Sequence, residues 1–221
     1  MTMTNAIHRH HETHREERVY LHPLPVRVWH WANALGFILL IISGLQIRYV
    51  DILGLMSFEA AVRMHNWVGF AVIANWFLWF IYYVSSDRIT NYHPDLDAVS
   101  FFQRYFRQAG YYSWGIFQGE DKPHKVDPHD KFNPMQKLTY QFVMFITAPV
   151  TFLTGLMMWD VKRFEGLIEL VGGIRVVNTI HVLMMILFVF FIFLHGYMGF
   201  LGHKPLDHFK EMFTGYEEPH D

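Results

Sequence analysis

Four of the fifteen histidines in this 221-residue sequence stand in or beside its most apolar stretches: His30, His65, His181 and His195. An imidazole can shuttle a proton, hydrogen-bond through both nitrogens, or ligate a metal through whichever nitrogen lacks the proton. Inside an apolar run such a group is costly and marks a functional site by default. The segment TIHVLMMILFVFFIFLHGYMGF carries two of them, fourteen residues apart. Over that distance a helix rises about 21 Å and turns to within about 40° of its starting face, so His181 and His195 share a face at two depths. Cysteine is absent, which excludes disulfides, thiolate iron–sulfur clusters, Cys-type zinc sites and C-x-x-C-H haem attachment. A metal would rest on His, Met or carboxylates.

The elements that position these residues are long and apolar. The chain is 52% apolar and 18% aromatic with a formal charge of −2, a mixture of membrane spans and polar loops. No basic field points to nucleic acid. Runs at about 26–47, 64–84, 136–159 and 176–200 each approach the ~20 residues that cross the hydrocarbon core. The expected fold is therefore an all-α integral membrane protein, a four-transmembrane-helix bundle forming a single domain over residues 1–221. The tail MTMTNAIHRHHETHREERV has four histidines and no apolar core, unlike a signal or transit peptide; it reads as a solvated, flexible tail or as an adventitious metal binder.

Lys and Arg set the topology. The tail to Arg27 has four, the segment Arg88–Lys137 seven and the C-terminal tail two, against five in the other two connections: Arg48, Arg63, Lys162, Arg163 and Arg175. The positive-inside rule makes both termini and the middle loop cytoplasmic. In that loop, AVSFFQRYFRQAGYYSW puts Phe102, Tyr105, Phe106 and Ala109 on one helical face and Gln103, Arg104, Arg107 and Gln108 on the other. An amphipathic helix on the cytoplasmic membrane surface, or one packed on a partner, fits that pattern. A short echo, IISGLQI near Gly44 and FLTGLMM near Gly155, reads as small-residue packing positions, with Gly36 and Gly69 as further candidates.

In this topology His65 and His181 lie level near the outer face, and His30 and His195 level near the cytoplasmic face. Two pairs of imidazoles facing across a bundle suit bis-histidine ligation of two haems, which saturates iron and leaves an electron carrier. Zinc asks for four ligands and a proton relay for Asp or Glu, and the spans offer neither. Arg27 and Arg63, within a turn of their histidines, read as haem-propionate partners or as snorkelling boundary arginines.

The residues RVWHWANALGF, RMHNWVGF, KFNPMQKLTY and IHVLMMILFVFFIFLHGYM together resemble the di-haem cytochrome b subunits of periplasmic formate dehydrogenases, nickel–iron hydrogenases and thiosulfate reductases. The resemblance implies two haem b groups, one on His65 and His181 and one on His30 and His195, in the bacterial inner membrane. It also implies a quinone site near the cytoplasmic haem, where the family's K-[FY]-N-x-x-Q-K segment corresponds to Lys131–Lys137. Asn133 is the candidate quinone contact, or the N-cap of the third span with Pro134 at its first position. Met135 stands where the formate dehydrogenase pattern has a small residue. The expected function is electron transfer between the membrane quinone pool and periplasmic partners, an iron–sulfur protein with a catalytic subunit or a cytochrome c. The alternatives are a self-contained transmembrane haem reductase with a soluble donor, and a haem-free anchor or transporter.

Overall fold

The computed structural model describes residues 19–86, 97–121, 123–124, 132–200 and 206–217. The tail to residue 18 and the loop residues Arg88, Asp127, His129, Asp130 and Lys131 lie outside them. In order the described elements are β1 (Val19–Tyr20), α1 (Leu24–Arg48), α2 (Val50–Leu53), α3 (Phe58–Ser85), α4 (Ala98–Ser113), α5 (Pro134–Phe142), α6 (Ala148–Trp159), α7 (Glu165–Val171), α8 (Ile174–Gly199), α9 (Asp207–Thr214) and β2 (Tyr216–Glu217). A π-helical turn, Val143–Thr147, joins α5 to α6. Four helical stretches are long and apolar enough to cross a membrane: Leu24–Arg48, Phe58–Ser85, Pro134–Trp159 and Ile174–Gly199. They are the four expected spans.

Local chemistry sets their ends. The second span starts at Phe58, well before the expected residue 64, because Ser57 caps it by accepting from Ala60 N–H at 3.2 Å and Glu59 lies in the first turn, where the helix dipole favours an acid. Asn133 caps α5 in a full capping box: its side chain accepts from Gln136 N–H at 2.9 Å, and the Gln136 side chain accepts from Asn133 N–H at 3.0 Å. Both connections expected to face outward contain a short helix, α2 and α7, that the sequence reading passed over.

Burial is inverted relative to a water-soluble domain. Ser43, Gln46 and Thr147 are buried, whereas Leu35, Ile38, Leu78, Phe190 and Phe193 are exposed. In water this would leave apolar patches uncovered; in hydrocarbon it is the stable arrangement, since polar groups must find their partners inside.

Two compact units make up the chain, Trp29–Phe193 and Met1–Val28 with Leu194–Asp221. In the larger, Val143, Ala148 and Phe188 form a core packed by Phe37, Trp76, Met144, Phe152 and Phe191, so all four spans contribute. The π turn disturbs the backbone ladder, and Trp76 Nε1–H donates to the Met144 carbonyl there at 3.1 Å. Asn75 donates to the Trp29 carbonyl at 3.2 Å, so the asparagine interrupting the second span holds it to the first.

In the smaller unit β1 pairs antiparallel with β2, Val19 opposite Glu217 and Tyr20 opposite Tyr216. Gly215 makes this possible. Its φ is +89°, and a side chain there would lie 2.7 Å from the His22 carbonyl, so only glycine suits the position. Leu21 and His22 N–H both donate to the Gly215 carbonyl.

The helix α4 forms as expected, with Asp97 as its N-cap. One position departs from the sequence reading. Phe102 and Phe106 are exposed together with Val99, while Gln108, expected on the polar face, is buried beside Tyr111.

At Gly36 an added Cβ would come 2.5 Å from Val72 Cγ2, and valine, stiff at χ1, cannot swing aside. Gly36→Ala is expected to destabilise the α1–α3 contact by about 1–3 kcal/mol, the usual cost of overpacking. Thermal unfolding in detergent should show a lowered midpoint that Gly36→Ala with Val72→Ala recovers.

Candidate functional site: a facing histidine pair

His65 on α3 and His181 on α8 face each other, with ring centres 6.2 Å apart and planes inclined by 67°. Each ring is anchored on its Nδ1 side by a hydroxyl from a different helix. Ser43 Oγ on α1 lies 2.9 Å from His65 Nδ1, and Thr154 Oγ1 on α6 lies 2.9 Å from His181 Nδ1. The two anchors are built alike, one by the first helix pair and one by the second.

The proton assignment follows from counting hydrogens. A hydroxyl has one to give, and Ser43 gives its own to the Leu39 carbonyl at 2.7 Å, with Leu40 at 3.2 Å. Thr154 does the same with Val150 at 2.7 Å and Thr151 at 3.1 Å. Each oxygen is then left as an acceptor for the imidazole, so each Nδ1 carries the proton. Nε2 keeps its lone pair in both rings.

Glycine follows each hydroxyl, and the ring leans over it. A Cβ at Gly44 would meet His65 Cε1 at 3.4 Å, and one at Gly155 would meet His181 Cε1 at 3.3 Å. The small residue lets helix and ring approach as a larger one would not.

This donor set fits a bis-imidazole metal centre. An imidazole nitrogen binds a first-row metal at about 2.0–2.1 Å and the ring centre lies about 1 Å behind it, so two imidazoles that shared one ion would have centres about 6 Å apart. The observed separation matches. Among the described residues no three His, Asp or Glu side chains gather as a metal site, so the pair suits an ion whose remaining ligands come from a macrocycle.

The other expected site residues are placed as follows. His30 lies in α1 with its ring against the edge of Trp31, centres 5.1 Å apart, and His195 lies in α8. Arg27 donates through Nη1 to the Phe213 carbonyl near the end of α9. Arg63 pairs with Glu59 at 2.6 Å, both side chains exposed. Asn133 is buried and, besides capping α5, donates from Nδ2 to the Tyr112 hydroxyl at 3.2 Å. Burial holds the Tyr112 phenol above the ordinary tyrosine range, so it stays protonated at physiological pH.

Sequence reasoning did not single out Ser43, Thr154 or Tyr112. For the first two a signal exists: in the echo of SG in IISGLQI and TG in FLTGLMM a hydroxyl precedes each glycine. Tyr112 is brought to Asn133 by the docking of α4 on α5, which no local pattern announces.

Comparison with known proteins finds cytochromes. A protein of Escherichia coli (strain K12) named as cytochrome YdhU is 32% identical over 205 residues, 92% of this chain and 76% of its own. A protein of Cupriavidus necator named as a Ni/Fe-hydrogenase B-type cytochrome subunit is 27% identical over 183 residues, 74% of this chain and 71% of its own. Residues 21–215 match the family described as prokaryotic cytochrome b561, which implies haem b and a role in electron transfer and leaves the haem-free anchor without support. This chain belongs to the prokaryotic cytochrome b561 family and is a multi-pass membrane b-type cytochrome.

Proposed function

We propose that the protein is the di-haem cytochrome subunit of a larger oxidoreductase, moving electrons between a periplasmic redox partner and the quinone pool of the bacterial inner membrane, with both termini cytoplasmic. The observation that carries this reading is the facing pair His65 and His181, aimed by Ser43 and Thr154 with both Nε2 lone pairs available. The second site, on His30 and His195, is supported by the fourteen-residue spacing of His195 from His181 on one helical face. Haem b, where bound, would supply one-electron transfer. The protein's part would be to hold it through one imidazole from each of two helices, exclude water with apolar spans and fix each ring. Similarity to a hydrogenase cytochrome subunit supports a partner containing the catalytic centre. Without cysteine, this chain cannot hold a thiolate-ligated cluster itself. Arg27 and Arg63 remain candidates for propionates, through donors not engaged with Phe213 or Glu59.

A quinone site belongs at the polar cluster of Gln108, Tyr112 and Asn133 at the start of the third span. Quinone chemistry exchanges protons with its surroundings, so it needs hydrogen-bonding groups at a membrane boundary. The amide of Asn133 and the protonated phenol of Tyr112 are such groups.

His65→Ala and His181→Ala are each expected to remove the same haem, lowering the haem content by one per chain. His30→Ala and His195→Ala should remove the other. Redox titration of the difference spectra reads this out, and loss of one shared component from His30→Ala and His181→Ala would refute the pairing.

Asn133→Leu should slow reduction or oxidation of haem by a quinone analogue on the order of tenfold, the scale of one hydrogen bond, while transfer between the haems persists. Asn133→Asp keeps the acceptor that caps α5 and loses the amide donor. It should slow the same step, and a wild-type rate in Asn133→Asp would confine the residue to its cap.

A further inference from the structure

Ser43 and Thr154 are buried, at 0% and 6% exposure, so no water can replace either hydroxyl beside its imidazole. Each spends its hydrogen on the backbone of its own helix and accepts from a ring on another helix. A hydroxyl that is donating is a better acceptor, because the two bonds polarise each other.

We propose that Ser43 and Thr154 are positioning residues that together hold His65 and His181 in the Nδ1–H tautomer, set the ring planes and tune the reduction potential of the group bound between them. The inference rests on the proposed bis-histidine haem site and deepens it. An acceptor on Nδ1–H pushes electron density toward Nε2, making the imidazole a stronger donor and favouring ferric over ferrous iron. Both rings carry the same device, so the two effects act in the same direction on one centre. The repeated hydroxyl–glycine pair is then one functional unit: the hydroxyl fixes the nitrogen and the glycine gives the ring room. The twin pairs act on the His65–His181 site, which sets this centre toward a lower potential than it would have without them.

Ser43→Ala and Thr154→Val remove the acceptors while keeping side-chain bulk close to the original, and Ser43→Thr and Thr154→Ser restore a hydroxyl. Full-length protein is purified in detergent, haem per chain is counted, and both components are followed by redox titration and low-temperature electron paramagnetic resonance. In Ser43→Ala and Thr154→Val the component that His65→Ala abolishes should titrate at higher potential. A tenfold change in the ferric-to-ferrous ratio corresponds to about 59 mV for one electron. Its resonance should shift as the ring planes relax. The other component, an internal standard for folding, should not move, and the hydroxyl variants should return to wild type.

Loss of the His65-dependent haem alone also supports the inference, since outer-shell partners typically contribute 10–100-fold to metal affinity. Full haem content with unchanged potential and resonance in both variants would overturn it. So would loss of both haems together that the hydroxyl variants fail to restore, because that marks a general packing role. A wild-type protein with no haem dependent on His65 or His181 would instead defeat the proposed function, a result distinct from either.

Discussion

No water reaches the hydrocarbon core of a membrane, so a polar group placed there must be completed by another part of the protein. The paired imidazoles live under this constraint, and the surrounding structure answers it with hydroxyls that are themselves completed by the helix behind them. Each chain runs from backbone carbonyl through hydroxyl to ring, and only one nitrogen on each ring is left over. That leftover nitrogen is where ligand chemistry is possible. Orientation, tautomer and availability are thus settled by the same few hydrogen bonds, each individually worth about 1 kcal/mol.

The same constraint shapes the bundle. Gln46 is fully buried and accepts from Leu55 N–H at 2.9 Å, turning an internal polar side chain into a tie on the connection after the first span. Trp76 gives its indole N–H to the carbonyl at the π turn, and Asn75 gives its amide to the Trp29 carbonyl. Polar side chains here are joints between helices, and apolar ones form both the contacts between them and the outer surface.

The spans were legible because length and composition alone decide them: a bilayer needs about 20 apolar residues, and four runs supply them. The histidines stood out as expensive groups in those runs, and helical spacing put His181 and His195 on one face. The start of the second span is not legible in hydropathy, because Ser57 caps it through a local hydrogen bond that hydropathy does not register. Periodicity puts Gln108 on a polar face because it cannot see a buried polar cluster completed by another helix. The hydroxyls of Ser43 and Thr154 looked like ordinary small residues, since their meaning lies in a ring supplied by a different span.

Arg27 and Phe213 meet across 186 positions of sequence, and β1 waits on β2 for its partner. Chains are made from the N-terminus at about 5–20 residues per second, so the first span must enter the bilayer well before the residues that close over its entrance exist. Its insertion therefore proceeds without the strand pair, which can form only after the fourth span has been synthesised. The clasp at the start of α1 is a late event, and its closure reports that all four spans have been made.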